Sequence, residues 1–201
     1  MVSKSRLAGF VDAVIAVVMT VMLLEFHTPK SGLILDFLRE NLVYMIAYLL
    51  SFIYVTTSWF NQQYMLASAE RVTRKMYIAT MLWVLNLSML PVLAAWTGQT
   101  MNLFDAFGTH APKAPALLFM LMIGLWGVSF VHMGHVYIHE NPKAAAQLIN
   151  EMNVLSYLRS RPYWGLFLLF FGLTTIYPFT ALIWTGAEMG YAIYRSHNRE
   201  K

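Results

Sequence analysis

The sequence predicts an all-α membrane protein with six transmembrane helices in a single domain, residues 1–201. Its composition is 58% hydrophobic and only 12% charged, whereas a soluble domain is about 25% charged. Several apolar runs reach the roughly 20 residues that a helix needs to cross the hydrocarbon core. The basic residues cluster in alternate loops, as expected for a multi-pass protein of the inner or plasma membrane.

Six apolar segments are long enough to be considered as spans. The last two share one region, residues 162–194, which is too long for one span and contains a single charge, Glu188. Tyr177-Pro178 is the predicted break, because the residue before a proline is disfavoured in a helix. The six segments are Leu7–Phe26, Asn41–Phe60, Tyr77–Trp96, Pro115–Ile138 and the two halves of Pro162–Tyr194.

Loop charge predicts the orientation of the six spans. Eleven of the 14 basic residues fall in residues 1–6, 61–76, 139–161 and 195–201, and only Lys30, Arg39 and Lys113 lie elsewhere. The positive-inside rule therefore places both termini in the cytoplasm. Five spans would export the basic C-terminus, so six are preferred.

Residues 140–158 have a different pattern from the spans. Asn141 is a suitable N-cap and Pro142 suits the first helical turn. The apolar residues that follow are spaced by one to four positions, which predicts an amphipathic cytoplasmic helix or an extension of the fifth span.

The first span carries an acidic residue near each end, Asp12 and Glu25. Charges inside membrane helices are costly and are usually functional. Asp12 either stays partly hydrated near the interface or is buried and paired with another helix. Arg6 is a poor partner because six residues leave the two side chains about 120° apart. The indole of Trp59 or the amide of Gln62 could donate to the carboxylate instead.

Between Asp12 and Glu25 the helix is apolar except for Thr20. Thr20 shares one helical face with Ala13, Val17, Val21 and Leu24. From the residues alone this face indicates a packed helix. The Thr20 hydroxyl is then expected to bond back to the carbonyl of Ala16.

The segment RLAGFVDAVIAVVMTVMLLE resembles the first transmembrane helix of the transmembrane protein 175 family, the lysosomal potassium channel and its prokaryotic relatives. That helix opens with Arg-x-x-x-Phe-Ser-Asp-Ala, has a threonine eight residues after the aspartate and often ends in Leu-Glu. The chain departs at Val11, where the family has serine, and at Gln62, where histidine is usual. The matching residues are Arg6, Phe10, Asp12, Ala13, Thr20, Leu24, Glu25 and, at the end of the second helix, Trp59.

The resemblance implies a homotetrameric, potassium-preferring cation channel, with one six-helix unit per chain and four first helices around the pore. Val17 would form an apolar constriction, with Val21 and Leu24 as further apolar layers, and Thr20 would contact the ion. Rings of apolar side chains can gate by dewetting. Because valine is smaller than the isoleucine or leucine often found at position 17, a wider constriction is expected.

The resemblance also gives roles to the ends of the first helix. Arg6, Phe10, Asp12 and Trp59 would anchor its cytoplasmic end, and Glu25 would concentrate cations at the outer mouth. Potassium would be the permeant ion, with no cofactor, and the partners would be other copies of the chain and membrane lipids rather than nucleic acid.

A second hypothesis comes from HMGHVYIHE. His132, His135 and His139 lie at i, i+3 and i+7, a spacing that could bind a metal, haem or quinone in a redox subunit. Interfacial histidines without a ligand are the alternative. Glu188 has no evident partner and is expected either to pair with a Lys or Arg or to lie near the surface. The chain lacks cysteine and the common nucleotide-binding and hydrolase motifs, so no enzymatic activity is predicted.

Overall fold

The computed structural model describes residues 3–26, 28–101 and 110–197, which form helices and short connections without any strand. The all-α prediction is therefore confirmed. The helices are α1 (Lys4–Val21), a 3₁₀ turn (Met22–Glu25), α2 (Ile34–Ser68), α3 (Arg74–Thr100), α4 (Lys113–Glu140), α5 (Pro142–Glu151), α6 (Asn153–Leu158), α7 (Arg161–Thr174) and α8 (Thr180–His197).

Within the described ranges, three helices, α2, α3 and α4, are long and apolar enough to cross a membrane. Each extends beyond its predicted apolar segment, because stretches that include charged and polar residues continue the helix at both ends. With 35 residues, α2 is about 52 Å long, against a hydrocarbon core of about 30 Å. Its ends therefore project beyond the apolar layer.

The other predicted spans correspond to shorter helices. α1 and α8 have 18 residues each and α7 has 14, so α7 is about 21 Å long. The predicted break is confirmed, since α7 ends at Thr174 and α8 begins at Thr180, with Pro178 between them.

The segment 140–158 is two helices instead of the single amphipathic helix predicted. α5 ends at Glu151 and α6 begins at Asn153. Pro142 does occupy the first turn of α5, but the side chain of Asn141 does not cap it. This side chain is buried and turned away from α5, and its Oδ1 accepts from the backbone N–H groups of Glu70 and Arg71 at 3.0 and 3.4 Å.

Three of the four basic segments meet at one end of the helix bundle. Lys4 Nζ donates to the carbonyls of Ala67 and Ala69 at the end of α2, at 2.7 and 2.9 Å. Two ion pairs join neighbouring elements here: Lys143 of α5 pairs with Glu70 of the α2–α3 connection, and Lys75 of α3 pairs with Glu140 of α4. Basic residues from these three segments of the sequence thus lie at the same end of the fold.

The core lies along α3, which packs against both α4 and α2. Aromatic side chains fill it, among them Trp83, Phe130 and Trp126. α1 packs mainly against α3 and α2, and this packing determines which of its faces is free.

Candidate pore helix

α1 has one buried and one exposed face in the single chain. Leu7, Val11, Ile15 and Val18 are buried at helical spacing. At Val11, where the related family has serine, an apolar side chain fills a fully buried position. The buried face thus fixes α1 on the bundle by apolar packing.

The opposite face carries the residues that the sequence proposes for the pore, and all of them are exposed. Val17, Val21 and Leu24 are 61%, 36% and 84% exposed, and Ala13 and Thr20 are exposed beside them. Leu24 lies in the 3₁₀ turn that continues α1. The structure therefore brings the proposed constriction residues and Thr20 to one face that no other part of the described chain covers.

The predicted contact between Asp12 and the second long helix is present. Asp12 Oδ1 accepts from Trp59 Nε1 at 2.8 Å and from Gln63 Nε2 at 2.6 Å. The prediction of Gln62 as a donor is wrong. Gln62 is fully buried, one residue and about 100° away around α2.

Asp12 is paired but not buried in the single chain. The hydrated and the paired alternatives are thus both partly right. Among the ion pairs of the described residues, none involves Asp12 or Arg6, so the partners of Asp12 are two neutral donors. Arg6 and Phe10 are exposed on the same side of α1. The side chain of Glu25 lies outside the described part of the structure.

The expected backbone bond of Thr20 is confirmed. Its hydroxyl lies 3.1 Å from the Ala16 carbonyl and 3.0 Å from the Val17 carbonyl, and donates within its own helix. Because the proton is directed to the helix backbone, the lone pairs of the oxygen are available on the exposed side. This arrangement is suited to contact with a cation.

The three histidines lie on an exposed face of α4. Within the described residues, no group of three or more His, Asp or Glu side chains is arranged to hold a metal ion. His135 contacts Arg159, and His139 lies beside Glu140. His135 therefore has a basic neighbour and His139 an acidic one, and the histidines do not converge on one point.

Sequence reasoning missed the partner of Glu188. Glu188 is 3% exposed, and its Oε1 accepts from the hydroxyl of Tyr163 at 3.0 Å. Neither predicted alternative, a basic partner or a surface position, is correct. The signal was the tyrosine at the start of the preceding helix, which becomes informative only when α7 and α8 are known to be antiparallel neighbours.

A protein-family model matches the N-terminal part of the chain, from the start of α1 to the middle of α3. Residues 6–91 match the family model described as the endosomal/lysosomal potassium channel TMEM175. This range contains the exposed face of α1 and the Asp12–Trp59 contact. The resemblance predicted from the sequence is confirmed. The family is described as a channel, which agrees with the prediction that the chain is not an enzyme.

Two individual proteins extend the comparison. A potassium channel of Chryseobacterium sp. (strain P1-3) is 31% identical over 98 residues, which make up 49% of this chain and 50% of that protein. The matched segment thus spans about half the length of this curated relative.

The fold itself is shared over almost the whole chain. A lysosomal potassium-selective channel TMEM175 homolog from Chamaesiphon minutus has a crystal structure that matches with a TM-score of 0.76. The match covers 96% of this chain and 97% of that one, at 18% identity.

Proposed function

We propose that this chain, whose residues 6–91 belong to the TMEM175 family, is one subunit of a homotetrameric, potassium-preferring cation channel of the inner or plasma membrane. The observation that carries the proposal is the exposed face of α1. A membrane protein can cover such a face with lipid or with other subunits. A carboxylate at Asp12 favours a water-filled path, because ionisable groups facing lipid are costly.

In the tetramer, four copies of α1 surround the pore. Val17 forms the narrowest apolar ring, and Val21 and Leu24 form further rings towards the outer side. Such rings are expected to block ions by dewetting when closed. The Thr20 hydroxyls, about one turn from Val17 along the helix, supply oxygen atoms for a partly dehydrated ion. Glu25 is assigned to the outer mouth.

The contact of Asp12 with Trp59 and Gln63 has a positioning role in this proposal. It fixes the rotation of α1 about its axis against α2 and thereby the direction of Val17. The basic residues gathered at the Lys4 end of the bundle support a cytoplasmic location for that end. The proposal includes six spans per subunit, with both termini cytoplasmic.

The test is cation flux into or out of liposomes that contain the purified protein under a potassium gradient, with sodium as comparison. Val17→Asn is expected to raise potassium flux, because an amide at the constriction favours hydration. Val92→Asn is the matched control, since Val92 is 51% exposed on α3. Equal flux in the native protein and in Val17→Asn, with oligomer and orientation verified, would count against the pore assignment.

A further inference from the structure

The exposed face of α4 is apolar in its first part and carries histidines in its last part. Its exposed residues follow one another at alternating spacings of three and four, which is the repeat of a single helical face. The members of this α4 face are Leu118, Leu121, Leu125, Val128, His132, His135 and His139. The first four are apolar and the last three are histidines.

A second basic group joins this face from another element. Arg159 follows α6, and its Nη2 lies 2.5 Å from Nε2 of His135. Both residues are exposed. Among the ion pairs of the described residues, none involves Arg159. His132 lies one turn before His135 on the same face. Arg159 and His135 are thus in contact on the protein surface, with His132 one turn away, and none of the ion pairs of the described residues involves them.

The nearest acidic group on α4 is already occupied. Glu140 Oε1 pairs with Lys75 Nζ at 3.2 Å and lies 3.7 Å from Nδ1 of His139. His139 therefore faces an acid, whereas His135 contacts Arg159. The Arg159 guanidinium donates one N–H to Nε2 of His135, which fixes its position, and a guanidinium carries further N–H donors that an anion can accept from.

The position of this cluster along α4 corresponds to a membrane interface. The apolar part of the α4 face, from Leu118 to Val128, is about 15 Å long. His132 lies about 6 Å beyond Val128 and His135 about 10 Å beyond it. The cluster is at the end of the bundle where Lys4, Lys75 and Lys143 make their contacts.

We infer that His132, His135 and Arg159 form a binding site for the phosphate of an anionic phospholipid, whose acyl chain lies along Leu125 and Val128. The guanidinium, held by its hydrogen bond to His135, supplies N–H donors suited to phosphate oxygens, and the imidazole of His132 can add another. A lipid is favoured over free phosphate because the basic cluster continues directly into an exposed apolar surface. Conduction is not required for this site, so the inference stands apart from the proposed channel.

The test uses the full-length protein in detergent micelles, titrated with dioleoyl phosphatidylglycerol and followed by native mass spectrometry. EDTA is present so that no metal bridges the histidines. The double variant His135→Gln with Arg159→Gln is expected to weaken binding by at least about fivefold, which corresponds to the approximately 1 kcal/mol of one basic residue at an anionic surface. Arg74→Gln is the control, because it removes an exposed arginine at the start of α3. His132→Gln provides a second variant if the double variant does not fold.

Binding that is reduced in the variants but retained in Arg74→Gln supports the site. An equal reduction in the variants and in Arg74→Gln would show non-specific attraction and overturn it. Displacement of the lipid by low concentrations of inorganic phosphate, or equally tight binding of dioleoyl phosphatidylcholine, would overturn the assignment to an anionic phospholipid.

Discussion

The indole nitrogen of Trp59 donates a hydrogen bond to Oδ1 of Asp12 over 2.8 Å and so joins α2 to α1. Gln63 donates to the same oxygen at 2.6 Å. Two neutral donors on adjacent turns of α2 therefore hold one carboxylate. The buried apolar face holds α1 on the bundle, and this polar contact adds a second constraint between α1 and α2.

Trp59→Phe tests that constraint. The variant keeps most of the aromatic surface and removes the donor. It is expected to lower the free energy of unfolding by about 0.5–1.5 kcal/mol, because the bond is partly exposed to solvent. Trp96→Phe is the matched control, since Trp96 is 43% exposed on α3. Thermal unfolding of both variants in one detergent provides the comparison, and equal effects would contradict a specific role for the Trp59 bond.

The donors to Asp12 could be predicted only in part from the sequence. A carboxylate in an apolar segment predicts a donor on a neighbouring helix, and Trp59 could be identified because it lies at the matching depth. The choice between Gln62 and Gln63 could not be made, since it depends on which face of α2 contacts α1. Both residues are polar, and only the tertiary packing of α2 places Gln62 in a buried position.

Element positions were predictable for a different reason. The length of an apolar run is set by the thickness of the membrane, and a proline such as Pro178 interrupts a helix. The helices therefore occur where expected. Their ends were not predictable, because α2 continues through the mixed stretches ILDFLRE and NQQYMLAS, in which charged and polar residues interrupt the apolar run. The orientation of the Asn141 side chain could not be predicted either, because it accepts hydrogen bonds from the N–H groups of Glu70 and Arg71, about 70 residues earlier in the chain.

Thr20→Val tests the proposed ion contact. The substitution keeps the shape of the side chain and removes the oxygen. The ratio of potassium to sodium flux is expected to fall by up to about fivefold, because one weak oxygen contact contributes about 1 kcal/mol. Liposome flux with each cation provides the measurement.

Thr56→Val is the control for Thr20→Val. The hydroxyl of Thr56 also bonds back within its helix, to the Phe52 carbonyl at 2.8 Å, but it lies on α2. Its flux ratio is expected to stay at the native value. A similar change in both variants would indicate an effect of threonine removal in general and not of an ion contact.

Gly98→Ala tests the close packing of α3 on α2. A Cβ atom at Gly98 would lie 2.8 Å from the Cα of Tyr44 and 3.1 Å from the Cβ of Ala47. Because the first of these atoms is backbone, the helices must separate, and a loss of about 1–3 kcal/mol is expected. Gly165→Ala is the control, since a Cβ there meets no atom within 4 Å. Comparable thermal stability of the two variants would contradict the close approach.

Tyr163→Phe tests the buried bond between α7 and α8. The hydroxyl of Tyr163 donates to Oε1 of Glu188 at 3.0 Å, while Oε2 has no hydrogen-bond partner among the described residues. Removing the hydroxyl leaves the buried carboxyl group without its donor, which is expected to cost about 1–3 kcal/mol. Tyr194→Phe, at a side chain that is 65% exposed on α8, is expected to leave stability unchanged.

A double-mutant cycle with Glu188→Gln separates this bond from other effects of Tyr163. An amide at position 188 can still accept through its oxygen and removes the demand of a buried charge, so Tyr163→Phe should cost less in the Glu188→Gln background. The coupling free energy from thermal unfolding is expected to exceed about 0.5 kcal/mol, the usual limit of additivity for independent sites. Additive effects would mean that the two side chains stabilise α7 and α8 separately, and that Glu188 depends on another partner.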